Sequence, residues 1–530
     1  MIRTSLLALL FLSACKAFSI LVFYPCPGYS HQRGILALTE RLVKDGHKLF
    51  VMSPNAVPGL DKHKNYTYVD FSFSYQYFTD DKKADDSEKV NVQKPVSKWK
   101  LPELWPAIAD IARKQLMSEA FLQFNRRVKS EKIKFDLIII ETLYIPYACI
   151  LAKEFSESAP IISMSSITTD FVAEDHLGSI MHLSFQPSRS YTNRMSLWQK
   201  LDNWVIHYYI VPELKKQMGI ATRRYCKDVY GPEYESIVGG CEWQSKIGRS
   251  LITSNPIYFY PRLLGPNVIE VGPLHIKQPE KLPQNLQKWL DDAETGVIYF
   301  SLGSNVRSKS LPENVLANFL RCFRELQPQG YRVLWKWELD GEIGGQSNNI
   351  LAQKWIPQES VLAHPKVKIF IMQGGLQSFQ ETVHYGIPMV GISWFGDQEV
   401  NVNKIVDAGI GVQLLPSDLD SYEKVKSAIE TVLFDEKYSM NMKRFSAISH
   451  DFTARGMDQA VFWVEHVAKH GGASYLRPST ADATFFEYFC LDIISVICLF
   501  SFLFIHFLHI LLKFIFSKVS RAFEIKVKSS

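Results

Sequence analysis

The segment that decides the fold is FIMQGGLQSFQETVHYGIPMVGISWFGDQEVN, which runs from Phe370 to Asn401. An apolar run ends at Met372, a pair of glycines follows, and a helical pattern begins near Leu376. Glycines between a strand and a helix let a ligand approach the backbone, and the free N–H groups of a helix N-terminus attract anions. The segment therefore predicts a strand–turn–helix unit that holds an anion, although such turns also use glycine for steric reasons alone.

Short apolar runs alternate with helical patterns in two parts of the chain, an alternation typical of a parallel sheet covered by helices on both faces. The predicted strands of the first part are FSILVFYPC (18–26), HKLFVMSP (47–54), FDLIIIET (135–142) and APIISMSS (159–166). Those of the second part are TGVIYFSLGS (295–304), YRVLWKW (331–337), KIFIMQGG (368–375), IPMVGIS (387–393) and IGVQLL (410–415). The predicted fold class is thus α/β, with two Rossmann-like domains whose sheet edges face a ligand-binding cleft.

The two ends of the chain predict secretion and membrane anchoring. Residues 1–17 combine Arg3, a short apolar run and a small-x-small cleavage site, which is typical of a signal peptide. Residues 493–512 lack Asp, Glu, Lys and Arg over 20 positions, enough to span a bilayer within a predicted helix at 490–512. The basic tail 513–530 is then expected in the cytosol. Between these ends we predict two domains, at 18–275 and 276–475, which meet at the linker-like segment LHIKQPEKLPQNL.

Composition excludes some classes of function and leaves others open. The formal charge of +5 over 530 residues gives no case for nucleic-acid binding. The tail ends in KVKSS, whose lysines at 526 and 528 resemble a dilysine signal for retrieval to the endoplasmic reticulum. Five cysteines lie between the signal peptide and the anchor, which permits at most two disulfides without assigning them. Asn65 begins a glycosylation sequon, and homo- or hetero-oligomer formation stays open.

Polar residues around the Gly-Gly turn have the chemistry to bind a nucleotide sugar. Glu381 can accept hydrogen bonds from two ribose hydroxyls, and Trp355 offers a flat face to a base. Alternatively, Ser378 and Glu381 form a capping box. The remaining small or polar candidates are Ser304, Gln358, Gln373, Gly375, Asp397 and Gln398. The sequence contains neither a metal-ligand cluster nor an Asp-x-Asp motif, so no metal site and no cofactor are expected.

The stretch KWIPQESVLAHPKVKIFIMQGGLQSFQETVHYGIPMVGISWFGDQ, residues 354–398, resembles the signature of the UDP-glycosyltransferases that conjugate small molecules. The resemblance extends to the whole membrane-anchored layout and implies the GT-B fold. It also implies that the domain at 276–475 binds a UDP-sugar as donor co-substrate and that the domain at 18–275 binds a small lipophilic acceptor. By this resemblance Trp355 and Gln358 meet the uracil, and Glu381 takes the ribose. Ser304, Gly375 and Ser378 line the diphosphate, and Asp397 and Gln398 hold the sugar hydroxyls. Gln373 stands where many members have His, a form similar to arthropod members, and its amide would donate to a phosphate oxygen.

The resemblance also implies an inverting mechanism with a histidine base. His31 follows the first strand and aligns with the catalytic base, although a lone histidine is more often structural. Glu141 ends the strand FDLIIIET, where many members carry Asp, and would orient the imidazole; Asp136 lies at the opposite end of that strand. The resemblance favours transfer of glucose over glucuronic acid, in detoxification or metabolite conjugation.

Two other functions use the same features. One is a catalytically inactive UDP-sugar-binding partner of active glycosyltransferases, which the joint presence of His31, Glu141, Glu381, Asp397 and Gln398 disfavours. The other is a transferase acting on lipid-linked sugars, whose site would more naturally face the cytosol. The signal peptide and the anchor instead predict a single-pass type I protein of the endoplasmic reticulum membrane, with luminal catalytic domains.

Overall fold

A computed structural model describes residues 17–78, 99, 101–156, 158–169, 171–180, 191–234, 247–304, 306–394 and 396–528. The chain divides into two compact units, Met1–Arg477 and Pro478–Ser530. Residues 1–16 of the predicted signal peptide, Cys241 and the last two residues of the tail lie outside the described ranges.

The first sheet has seven parallel strands in the order β3-β2-β1-β4-β5-β6-β7. These strands are β1 Ser19–Phe23, β2 Lys48–Ser53, β3 Tyr66–Asp70, β4 Leu137–Glu141, β5 Ile161–Ser165, β6 Ile247–Ile252 and β7 Val268–Glu270. All residues of β4 and β5 are buried, as expected for central strands covered on both faces. The four predicted strands of this half are confirmed, and three further strands, β3, β6 and β7, were not predicted.

The second sheet has six parallel strands in the order β10-β9-β8-β11-β12-β13. Its strands are β8 Gly296–Ser301, β9 Tyr331–Lys336, β10 Ile350–Gln353, β11 Val367–Met372, β12 Met389–Gly391 and β13 Gly411–Gln413. This is the doubly wound Rossmann order, 3-2-1-4-5-6 from the first strand of the half. The first sheet has the same order with one additional strand, so the prediction of two Rossmann-like halves is correct.

The helices of the first half cover both faces of its sheet and extend into the segment before β6. They are α1 Tyr29–Lys44, α2 Tyr75–Phe78, α3 Leu101–Leu116, α4 Glu119–Ser130, α5 Ala148–Phe155, α6 Phe171–His176, α7 Leu197–Val205 and α8 Val211–Tyr230. Those of the second half are α9 Gln284–Asp291, α10 Glu313–Leu326, α11 Gln358–Leu362, α12 Leu376–His384, α13 Gln398–Asp407, α14 Tyr422–Phe434 and α15 Glu436–Thr453.

A last helix of this unit, α16 Gly456–His470, returns to the first half. Its buried side chains Val461, Val464 and Val467 join the apolar cluster that contains Phe18 and Ile20 of the first sheet. The core of the first half therefore includes residues close to the end of the unit, whereas the boundaries predicted at 275 and 475 stay predictions.

The second unit contains α17 Phe485–Tyr488 and the long helix α18 Leu491–Lys528. Its segment Leu491–Arg521 is long and apolar enough to cross a membrane, judged by length and composition. The predicted span at 490–512 falls largely within it, and the helix continues through most of the basic tail.

Two further sequence expectations concern side chains of the first unit. Cys149 is disulfide-bonded, whereas Cys26, Cys226 and Cys322 are free and buried. The side-chain nitrogen of Asn65, to which a glycan would attach, donates to the carbonyl of Gly46 at 3.2 Å. Glycosylation would leave one N–H on this nitrogen, and it stays a prediction.

Candidate active site

A cavity of about 670 Å³ lies between the carboxyl ends of the two sheets. Nine of the predicted site residues line it, namely His31, Ser304, Trp355, Gln358, Gln373, Gly375, Ser378, Asp397 and Gln398. The other two, Glu141 and Glu381, are fully buried carboxylates behind its wall. The cavity brings together residues that are distant in sequence, since His31 and Gln398 are 367 positions apart. They meet because the parallel strands of each sheet end at the same edge.

His31 and Glu141 meet on the first-half wall of the cavity. His31 lies in the first turn of α1, just after β1, and Glu141 is the last residue of the neighbouring strand β4. The Nδ1 atom of His31 lies 3.3 Å from Oε1 of Glu141, and the other carboxylate oxygen accepts from the backbone N–H of Cys26 at 3.1 Å. A carboxylate only accepts, so this contact assigns the Nδ1 proton to His31 and leaves Nε2 unprotonated in the neutral ring.

Two further groups act on His31. The hydroxyl oxygen of Ser166 lies 2.8 Å from Nδ1 and fixes the ring together with Glu141. Burial by itself lowers the pKa of His31, but Cys26 and Glu141 beside the ring outweigh it and raise this pKa well above 6.5. Asp136, the weaker alternative, instead accepts from the backbone N–H of Ser19 at the opposite end of the sheet.

The Gly-Gly turn ends β11 and begins α12. Gly374 has φ +87°, and a Cβ there would lie 2.6 Å from a methyl group of Val402, so this glycine is required for steric reasons. Gly375 is the N-cap of α12, and a Cβ on it would have only the Gln373 amide nitrogen within 4 Å, at 3.7 Å. Of the two glycines, only Gly375 therefore has free space beside its backbone that a ligand could occupy. The alternative with Ser378 as N-cap of a capping box is wrong, because α12 begins two residues earlier.

The Gln373 side chain is held in one orientation at this turn. Its Oε1 accepts from Nε2 of Gln398 at 3.2 Å, and Gln398 Oε1 in turn accepts from the backbone N–H of Trp394 at 2.9 Å. Gln373 Nε2 lies against the second glycine turn, since a Cβ on Gly303 would come within 2.4 Å of it. Within the described part of the chain this amide N–H₂ group has no acceptor, whereas both ends of the Gln398 amide are used inside the protein.

Asp397 and Ser304 occupy more open positions. Asp397 is the N-cap of α13 and its Oδ2 accepts from the side chain of Asn401 at 2.9 Å. Ser304 follows β8 and is exposed. The last residues of β8 and β11, Ser301 and Met372, are paired, so Ser304 and the Gly-Gly turn follow neighbouring strand ends. The Trp355 side chain is 71% exposed, so its ring is available to stack on a flat ligand.

Glu381 is already paired across the cleft. Its Oε1 accepts a hydrogen bond from the guanidinium of Arg33 and lies 3.3 Å from Nε2 of His275. The same guanidinium also donates to Glu359. Its other oxygen accepts from Gln358 Nε2 at 2.6 Å. Burial lowers the pKa of Arg33 to about 10, so the guanidinium stays charged at neutral pH. A ribose hydroxyl that bonds Glu381 must therefore compete with one of these partners.

Sequence reasoning missed several cavity residues, of which Arg33, Lys336 and Cys26 bear most directly on the chemistry. Lys336 ends β9 and donates to the carbonyl of Gly303 at 2.9 Å, which places a cation beside the Ser304 turn. No local motif marks any of the three, because each acts on residues distant in sequence. A strand end facing the cleft is the only signal that could have found Lys336.

Known proteins resemble this chain in sequence and in fold. Residues 20–529 match the family model described as UDP-glucoronosyl and UDP-glucosyl transferase. UDP-glycosyltransferase UGT5 of Dactylopius coccus is 30% identical over 491 residues, covering 92% of this chain and 90% of the relative. UDP-glucosyltransferase 2 of the same insect is 28% identical and covers 93% of both chains. The solved glycotransferase of kitacinnamycin superposes with a TM-score of 0.57 at 17% identity, covering 85% of this chain and 98% of that structure. The fold is GT-B.

Proposed function

The chain belongs to the UDP-glucoronosyl and UDP-glucosyl transferase family, and from this premise we propose that it transfers a hexose from a UDP-sugar to a hydroxyl of a small lipophilic acceptor, with inversion. The observation that carries the proposal is the His31–Glu141 contact of 3.3 Å on the wall of a cavity that the Gly375 turn also lines. A histidine held by a carboxylate can accept a proton on its other nitrogen. The turn opposite has the donors that a diphosphate requires.

The donor would be held by the second half. The helix N-terminus at Gly375, the amide of Gln373 and the cation of Lys336 supply positive potential for the diphosphate. Trp355 would stack on the uracil, and Asp397 would accept from sugar hydroxyls. Ser304 and Ser378 would donate to phosphate oxygens. Gln358 and Gln398 act mainly on the protein, since their amides fix Glu381 and Gln373.

The acceptor would be held by apolar residues of the first half. The cavity wall there includes Val57, Pro58, Ile108, Leu143 and Ile167. Such a lining favours a small lipophilic alcohol or phenol, as expected for detoxification or metabolite conjugation.

The chemistry follows from the position of His31. Its Nε2 takes the proton of the acceptor hydroxyl while the oxygen attacks the anomeric carbon. The new carbon–oxygen bond forms as the bond to the β-phosphate oxygen breaks, and UDP leaves with that electron pair. Attack from the face opposite UDP converts an α-linked donor to a β-glycoside. Glu141 stabilises the imidazolium that forms.

Glucose is the sugar that we propose first. The Asp397 carboxylate suits a neutral hydroxyl better than the carboxylate of glucuronic acid, and one insect relative is named a glucosyltransferase. The family description includes both sugars, so an assay must compare them.

The test is a transfer assay on membranes that contain the full chain. UDP-glucose and UDP-glucuronic acid are each supplied with phenols, flavonoids and steroids, and the products are identified by mass spectrometry. We expect UDP-glucose to give β-glucosides and the His31→Ala chain to give at least about a hundredfold less of them. UDP-sugar binding without any transfer would favour the alternative function as an inactive partner of active transferases.

We further propose that the protein is a type I protein of the endoplasmic reticulum membrane. The apolar helix Leu491–Arg521 and the excess of basic residues in 513–530 support this topology. If KVKSS is a retrieval signal, changing Lys526 and Lys528 to Ser should let the protein reach later compartments. Unchanged location in fluorescence microscopy would identify the tail as a solvated end.

A further inference from the structure

A thiol lies against the His31–Glu141 pair. We propose that Cys26, His31 and Glu141 form an inhibitory site for a divalent cation that prefers sulfur and nitrogen ligands, Zn²⁺ in particular. Each residue offers one ligand atom, and the three atoms all lie within 4.8 Å of one another. Cysteine sulfur, histidine nitrogen and carboxylate oxygen are the three ligand types that bind Zn²⁺ in proteins.

The distances fit this ion with little movement. Two ligand atoms at about 2.0–2.1 Å from a tetrahedral Zn²⁺ are separated by about 3.3–3.4 Å. His31 Nδ1 and Glu141 Oε1 are 3.3 Å apart already. A sulfur ligand of the same ion stands about 3.6 Å from the nitrogen, and the Cys26 sulfur lies within 4.8 Å of it.

The backbone holds the three ligands together. Cys26 lies just after β1 and donates its N–H to Glu141 at the end of β4, while His31 begins the following helix. Cys26 and Glu141 are buried, and both Cys26 and His31 line the cavity. A bound ion would thus have three protein ligands and a fourth position open to the cavity, the usual arrangement of a zinc site that retains a water. Magnesium and calcium prefer oxygen ligands and would be disfavoured here.

Occupancy would abolish the base. When the ion binds, the Cys26 thiol proton leaves to solvent. His31 gives up its Nδ1 proton, to Nε2 if the ring is neutral and to solvent if Nε2 already carries a hydrogen. Nε2 then carries a hydrogen and has no lone pair for the proton of the acceptor hydroxyl. This inhibitory consequence rests on the proposed function, whereas binding of the ion does not.

The experiment therefore measures binding and inhibition separately on the purified full chain in detergent. Co²⁺ replaces Zn²⁺ as a spectroscopic probe, because a thiolate ligand gives a charge-transfer absorption. Zn²⁺ inhibition of transfer is titrated in a metal buffer and reversed with a chelator. Cys26→Ala is the test variant, and Cys322→Ala, a buried free cysteine of the second-half core, is the matched control.

We expect the absorption and reversible inhibition in the unmodified chain and in Cys322→Ala. Cys26→Ala should lose the absorption and tolerate more than about tenfold higher Zn²⁺, since even outer-shell partners of a metal contribute that much. Equal Zn²⁺ sensitivity of Cys26→Ala, or no cobalt–thiolate absorption in the unmodified chain, would overturn the proposal. If the chain proves to have no transferase activity, the cobalt absorption still decides whether the site exists.

Discussion

Replacing Gln373 should weaken donor binding without unfolding the protein. Its Oε1 is fixed by Gln398 at 3.2 Å, and its Nε2 lies between the Gly303 and Gly375 turns with no acceptor among the described residues. One hydrogen bond from this amide to a phosphate oxygen is worth about 1.5–3 kcal/mol. Gln373→Ala should therefore raise the Kd for UDP-sugar roughly ten- to a hundredfold.

Two further substitutions at this position separate charge from shape. Gln373→Glu keeps the size but turns a carboxylate toward the diphosphate, and two like charges about 4 Å apart near a protein surface repel by about 4 kcal/mol. Its loss of affinity should exceed about a hundredfold. Gln373→His should retain binding, because imidazole can donate in the same place.

The assay is isothermal titration calorimetry with UDP-sugar, combined with thermal melting of each variant. The unmodified chain and Gln373→His should bind UDP-sugar most tightly, Gln373→Ala more weakly and Gln373→Glu most weakly. All four proteins should have similar melting temperatures. An Ala variant that melts earlier but binds the donor normally would mean that Gln373 only closes the end of β11, which would refute the reasoning.

Three other substitutions test neighbouring contacts. Glu141→Gln removes a carboxylate that raises the pKa of His31, so the acid limb of the kcat–pH profile should move to lower pH, and the maximal kcat should fall. An acid limb that does not move would show that Glu141 does not act on the group whose titration limits kcat. Arg33→Met frees Glu381 for ribose and should tighten UDP binding about tenfold in calorimetry, the value of one charge-assisted hydrogen bond. Weaker binding would show instead that Arg33 helps to hold the nucleotide. Trp355→Ala should weaken UDP binding roughly ten- to a hundredfold through lost stacking of about 1–3 kcal/mol, whereas Trp355→Phe should retain most of it.

The strands that the sequence predicts are those with unbroken apolar runs. β1, β4 and β11 are central strands, and each contains four consecutive buried apolar residues, at 20–23, 137–140 and 369–372, which makes the pattern easy to read. β6 escaped prediction because Arg249 interrupts its apolar residues. The structure explains that arginine, since its guanidinium stacks 3.4 Å from the ring centre of Trp463 in α16, a contact between distant segments.

Two other strands escaped for reasons of length and position. β3, at the edge of its sheet, alternates polar and aromatic residues, and β10 has only four residues and ends in Gln353. Edge and short strands need few apolar residues, because one side or one end of them meets solvent.

The candidate site divides in the same way. The residues of the contiguous stretch 354–398 could be placed from sequence, because their spacing along one strand–turn–helix unit fixes their relative positions. The contacts between residues distant in sequence could not be placed in this way. Arg33 and Glu381 are 348 positions apart and meet only because the two halves pack together. Cys26 and Glu141 are 115 positions apart and meet because β1 and β4 are neighbouring strands of the first sheet.

The measurement that tests the central claim most directly is turnover by His31→Ala with donor affinity measured on the same preparation. If His31 Nε2 is the base, kcat should fall by roughly two to four orders of magnitude. The Kd for UDP should stay within a factor of about two, since His31 lies on the first-half wall and the donor residues on the second. Near-normal turnover with an unchanged Kd would contradict the mechanism.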